Sequence, residues 1–162
     1  MSELVDGPLS PDVEHLEFLL GTWRGEGRGD YPTTEEFRYE EEMRFEHAGD
    51  AFLLYAQRSW LVDGSGLHFE RGFLRPGAEP GSVELTLAHP LGLTEIAEGR
   101  VEGTELRLAS TDVGRTSTGS AVTGLTRTYS VEGDVLRYSE DMAMEDTPMT
   151  WHVAGELRRI EP

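Results

Sequence analysis

From residue 37 the chain settles into a period of two. Phe37, Tyr39, Met43 and Phe45 take odd positions, and Arg38, Glu40, Glu42, Arg44 and Glu46 stand between them. That alternation gives a strand with one dry face and one wet one. Further runs of strand character follow at Ala51–Val62, Gly66–Arg75, Ser82–His89 and Gly92–Val101, then at Glu105–Asp112, Ala121–Val131, Asp134–Met144 and Met149–Ile160. Turn chemistry such as Ala48-Gly49-Asp50, Asp63-Gly64-Ser65, Glu102-Gly103 and Glu132-Gly133-Asp134 separates them. With Gly21–Gly29 as a first strand the count is about ten, nearly all joined by short links. Short links exclude a parallel sheet, whose crossovers need a dozen or more residues. An open sheet of this size would leave two long edges to pair with other chains, and closure removes both. The expected fold is all-β: one domain over residues 1–162, built as a ten-stranded antiparallel up-and-down barrel. A two-sheet sandwich is the alternative.

Ahead of the strands, residues 1–9 carry no periodicity and read as a loose arm. Ser10-Pro11-Asp12 then supplies an N-cap, a proline at the first helical position and an acid in the first turn. Val13, Leu16 and Leu20 recur at helical spacing until Gly21 ends the pattern. The result is one short helix whose apolar stripe is too narrow to stand alone. It is expected to pack near one mouth of the barrel.

Charge and composition narrow the partners. The net charge is −17 and every cation is an arginine, so phosphate backbones and anionic lipid are repelled; neither nucleic acid nor membrane is an expected partner. The absence of cysteine excludes disulfides, thiolate-bound metal and cysteine catalysis. No apolar run is long enough to span a bilayer and no leader pattern opens the chain, so a cytoplasmic location is expected. A barrel of this size has room for a small ligand, although fold alone does not say which.

Few stretches carry chemistry. Gly21, Gly25 and Gly27 flank Trp23 at every second position of Gly21-Thr22-Trp23-Arg24-Gly25-Glu26-Gly27, baring the backbone of one strand face to a flat ligand or to a neighbouring strand. Glu26 and Asp30 beside it rule out a phosphate loop. Among the histidines, His15 falls on the polar side of the helix, and His47, His68 and His89 sit at or near strand ends. No two have a metal-binding spacing, so a zinc site made of protein ligands alone is not expected. His152 differs: alternation places it opposite Trp151 and Val153 and beside the small Thr150 and Ala154, leaving clear space before the imidazole. A half-buried histidine satisfied by a hydrogen bond explains the same pattern. The runs Glu35-Glu36 and Glu40-Glu41-Glu42 read as solvated strand faces, and no nucleophile motif such as GxSxG occurs.

Together, several of these stretches resemble the nitrobindin family. The residues concerned are the helix leading into GTWRGEG, Tyr31-Pro32-Thr33 with Phe37 beyond it, Phe45-x-His47-x-Gly49, Leu87-Ala88-His89-Pro90-Leu91-Gly92 followed by Thr94-Glu95, and the late His152 strand. The resemblance runs in order from about residue 9 to the end. It implies a fatty-acid-binding-protein-like barrel holding one b-type haem per chain near its mouth, with ferric iron. His152 would be the axial metal ligand, Thr33 a haem contact, and Gly21, Trp23, Gly25 and Gly27 part of the cofactor-binding stretch. No catalytic residue is implied beyond the iron held by His152. The implied activity is isomerisation of peroxynitrite to nitrate, with nitric oxide as a further ligand and a homodimer as a plausible assembly. One departure stands out: relatives place a lysine before the Val-Thr-x-Leu stretch, and here Val122-Thr123-Gly124-Leu125 follows Ser120-Ala121 in a chain without lysine. Arg127 or Arg24 would have to meet the haem propionates, or they would point into water. The competing function is carriage of a small apolar ligand such as a fatty acid, with Arg127-Thr128-Tyr129 fixing its carboxylate.

Overall fold

The structure, a computed structural model, describes residues 7–162. Ten strands follow one short helix: β1 Gly21–Tyr31, β2 Thr34–His47, β3 Leu53–Leu61, β4 Gly66–Pro76, β5 Ser82–His89, β6 Leu93–Glu102, β7 Glu105–Arg115, β8 Val122–Glu132, β9 Val135–Met144 and β10 Thr147–Glu161. Each pairs antiparallel with its sequence neighbour, and β1 pairs with β10 to close the barrel. The expected barrel is the observed one.

Closure depends on how little β1 carries inward. Gly25 lies opposite Leu157 and Gly27 opposite Gly155 across the closing seam. A Cβ on Gly25 would overlap the Glu156 carbonyl oxygen, and one on Gly27 would overlap the Tyr39 ring. The alternate glycines therefore admit the last strand's backbone and let large rings of β2 lie across β1.

The helix, Pro11–Leu19, is of 3₁₀ type, with the Ser10 hydroxyl accepting the Asp12 N–H at 3.3 Å. Its fully buried residues are Val13, Leu16 and Leu19, a spacing of three that aligns on one 3₁₀ face. The sequence pattern pointed instead to Leu20, which is only half-buried. The helix plugs the end where β1 begins. There the Trp23 indole N–H donates to the Leu19 carbonyl at 2.9 Å, and the Arg159 guanidinium lies 4.2 Å from the Trp23 ring. Of the expected loose arm, residues 1–6 lie outside the described residues, and Leu9 packs against the core.

The opposite end stays open. Pairing of β7 with β8 runs from Glu105↔Ser130 to Ala109↔Thr126. Past that point the Ser110 hydroxyl accepts the Leu125 N–H at 2.9 Å in place of a strand partner. The two strands thus part toward the end where β1 finishes at Tyr31.

Placing a methyl group on Gly25 should push β10 off β1 at the closing seam. Gly25→Ala is expected to lower the unfolding free energy by about 1–3 kcal/mol. Gly103→Ala, where the added Cβ meets no atom within 4 Å, is the comparison for the turn's own φ of 60°. Urea unfolding of both variants measures the difference, and an unaffected Gly25→Ala would remove the seam argument.

Candidate functional site

Between plug and open end lies a cavity of about 390 Å³. Its outer wall is apolar, with Phe37, Leu93, Val122, Leu125, Met142 and Val153, and its rim exposes Leu67 and Leu91. Its inner part is polar and ionic, from Glu41, Gln57, Glu70, Arg127, Tyr138 and Glu140. Such a division suits a ligand that is flat and greasy where it meets the rim and small and polar below.

His152 stands in the apolar wall, by a route the alternation does not give. Trp151 pairs with Asp141 and Val153 with Glu140, so His152 is the extra residue of a β-bulge. Both His152 and Val153 therefore face the cavity, whereas Trp151 lies beneath the Arg28 guanidinium, 4.9 Å from its ring centre, on the outer face. The ring is framed by the edges of Tyr31 at 5.2 Å and Phe37 at 6.1 Å, not by the small residues of its own strand. His152 Nδ1 donates to the Asp30 carbonyl at 3.3 Å, which fixes the tautomer and leaves the Nε2 lone pair free. Burial lowers its pKa, against the Asp30 hydrogen bond, so the ring is neutral. A neutral, oriented imidazole in an apolar wall has the donor chemistry of an axial iron ligand.

The inner part gathers residues from five strands. Arg127, 2% exposed, forks onto Glu95 at 3.0 and 2.9 Å and onto Glu70 at 2.8 and 3.2 Å. It also lies 3.5 Å from Glu140. His68 and His89 complete the group: His68 Nε2 is 3.1 Å from Glu70, and His89 Nε2 is 3.2 Å from Glu95. Burial works against the charge of Glu70 and Glu95, yet Arg127 and the histidines outweigh it and hold both below the usual carboxylate range. His68 is raised despite burial, through Glu70. Glu140 goes the other way: burial, reinforced by Glu70 and Glu95, pushes it up to about 7. Glu41, buried and with no partner for Oε1, is also pushed up to about 7 by burial; Gln57 donates to its other oxygen at 3.0 Å.

Several sequence expectations are relocated. Thr33 is exposed in the turn between β1 and β2, and its neighbour Thr34 lines the cavity. Gly21, Trp23, Gly25 and Gly27 do not line it: Trp23 packs under the helix plug, and the glycines serve the seam. The acidic run is not simply solvated. Glu41 is 1% exposed inside the barrel, and Glu42 is 4% exposed on the outer face, bonded by Arg24 at 2.7 Å and Arg44 at 2.8 Å. Arg24 is thus engaged outside the barrel. His15 is half-buried, with Nε2 unpartnered.

Sequence reasoning missed the cluster of His68, Glu70, His89 and Glu95, because β4 is inverted. It turns His68 and Glu70 inward and leaves Phe69 and Phe73 outward, 41% and 47% exposed. An apolar-inside rule assigns that strand to the wrong face. The usable signal was the shared parity of His68 and Glu70, together with His89 and Glu95 flanking one tight turn.

Comparison with known proteins bears on what occupies the cavity. A family described as "THAP4-like, heme-binding beta-barrel domain" matches residues 12–159. A peroxynitrite isomerase of Nocardia farcinica is 50% identical over 156 residues, covering 93% of this chain and 92% of that protein. A peroxynitrite isomerase 2 of Mycobacterium ulcerans is 45% identical, covering 93% and 96%. The crystal structure of Rv2717c from M. tuberculosis superposes with a TM-score of 0.88 at 43% identity, covering 94% of this chain and 99% of that one. Among the described residues no helix is long and apolar enough to cross a membrane.

The raised Glu41 carboxyl has a consequence for stability. Folded, it keeps its proton up to about 7, whereas the unfolded chain releases it near 4.5. Stability therefore falls as pH rises through that window, because the folded state binds the extra proton. Glu140 acts with the same sign; Glu70 and Glu95 act oppositely, below 4.5. Glu41→Gln is expected to lose less melting temperature than wild type between pH 5 and pH 8. Equal losses would show that Glu41 does not hold its proton.

Proposed function

Because the chain belongs to the THAP4-like, heme-binding β-barrel family, the nitrobindin family its sequence resembles, we propose that it binds one b-type haem, kept ferric, and isomerises peroxynitrite to nitrate. The observation that carries this reading is His152: a neutral imidazole with a free Nε2, aimed by a bulge into an apolar wall. His152 would hold the iron, and the Asp30 carbonyl would keep its ring in the ligating orientation. Phe37, Leu91, Leu93, Val122, Leu125 and Met142 offer the apolar contact that a macrocycle needs at the mouth. When bound, haem would supply a Lewis-acidic iron for the isomerisation of peroxynitrite to nitrate, a rearrangement without gain or loss of atoms. Nitric oxide is a ligand for the same iron.

The protein's own part is orientation and electrostatics. Tyr31 and Phe37 frame the His152 imidazole edge-on and hold its ring in place. Glu41 and Glu140 keep protons near neutrality, which limits the negative charge an anionic substrate meets in the cavity. Neither cation considered for the propionates is free: Arg127 is bonded to Glu70 and Glu95, and Arg24 to Glu42. Propionates exposed to water are the remaining arrangement.

The same engagement of Arg127 counts against a fatty-acid carrier. A carboxylate entering the inner cavity would find its only arginine already facing Glu70, Glu95 and Glu140.

Titration of the chain with ferric haem should give a saturable Soret change at one equivalent, and His152→Ala should abolish it. The loaded protein should raise the nitrate yield from peroxynitrite above that of free haem. Haem binding that survives His152→Ala removes the axial assignment; normal binding without a gain in nitrate removes the activity.

A further inference from the structure

Three atoms able to ligate a metal converge on one spot of the cavity wall. Glu70 Oε2 is 3.1 Å from His68 Nε2 and 3.4 Å from His89 Nδ1, and the two nitrogens are 3.3 Å apart. His89 is bound on its other side: Nε2 faces Glu95 at 3.2 Å, and Arg127 holds Glu95 as a carboxylate. A carboxylate only accepts, so Nε2 carries a hydrogen, and in the neutral form of the ring Nδ1 presents a lone pair. The Glu70 oxygen is an acceptor as well, bonded at the same atom by Arg127 at 3.2 Å. In that form at most one proton, on His68 Nε2, can separate the three.

A metal ion meets the same need. Ligand atoms of a tetrahedral zinc with bonds of about 2.0–2.1 Å lie about 3.3–3.4 Å apart, which is the size of this triangle. The pairing of His89 with Glu95 is the support that zinc-binding histidines ordinarily have, a carboxylate accepting from the other ring nitrogen. Charge agrees. The carboxylates of Glu70 and Glu95 face the single guanidinium of Arg127, which leaves one negative charge for a cation to meet. All three donors line the cavity, so water or a small anion there can complete the coordination.

We propose that His68 Nε2, His89 Nδ1 and Glu70 Oε2 form a site for one divalent cation of the zinc class, made of ligands other than His152. Two imidazoles and a carboxylate, without thiolate, suit zinc or cobalt(II) over calcium or magnesium. The site was hidden in the sequence because its ligands come from two strands and have no motif spacing.

Calorimetric titration of the full chain, stripped of metal with a chelator, tests the site with zinc chloride alone. One equivalent is expected to bind, and cobalt(II) should give the intense visible bands of a tetrahedral site. His89→Ala should weaken zinc binding by at least about 100-fold and Glu95→Gln by about 10–100-fold, whereas His152→Ala should leave it unchanged. Imidazole nitrogen NMR of the folded wild type avoids dependence on variants: zinc should shift the signals of His68 and His89 and spare those of His15, His47 and His152. The proposal fails if folded wild type shows no saturable binding, if binding persists in both His68→Ala and His89→Ala, or if it is lost in His152→Ala. Failure of haem to bind, with zinc binding intact, would count against the haem reading alone.

Discussion

The whole arrangement depends on one close approach, that of β10 to a β1 stripped of inward side chains. Without Gly25 the last strand could not reach the first, and without Gly27 and Gly29 the rings of Tyr39 and Phe37 could not lie over β1. Closure fixes the position of β10, and β10 carries His152. The imidazole's place in the wall thus follows from glycines that never touch the cavity. The GTWRGEG stretch is therefore a closing device, joined to the helix plug through Trp23.

The cavity has two chemistries along one axis. Near the mouth, apolar side chains surround a single neutral histidine. Beside them, buried carboxylates and a guanidinium form one network with His68 and His89, in which Glu70 and Glu95 are held below the usual carboxylate range and Glu140 above it. Burying so many charges is unfavourable unless each finds a partner, and Arg127 supplies most of that pairing. The exceptions, Glu41 and Glu140, are the carboxyls that keep their protons.

Much of the architecture was legible in the sequence, because hairpin turns and the alternation of Phe37, Tyr39, Met43 and Phe45 are local properties. His152 was legible as a residue but not as a geometry: the bulge shifts parity by one, and period counting has no term for an inserted residue. The helix was legible, while its 3₁₀ form rests on Leu19 replacing Leu20 at the core. Thr33 and Thr34 are adjacent, and only the turn decides which of them faces inward. The ionic cluster was illegible for a different reason. Its stabilising partners are far apart in the chain, and β4 shows its aromatic side chains to solvent.

That inversion constrains the order in which the barrel can assemble. A slip of β4 by one residue would bury Phe69 and Phe73, but it would also turn Arg71 and Arg75 inward and send Leu74, His68 and Glu70 into water. The native register instead seats Leu74 in the core and lets Glu70 accept the Tyr55 hydroxyl of β3 at 2.6 Å, before Glu70 meets Arg127, 57 positions further along the chain. The register of the fourth strand is thus set within the first half of the sheet, and the buried ion pair that arrives with the eighth locks it.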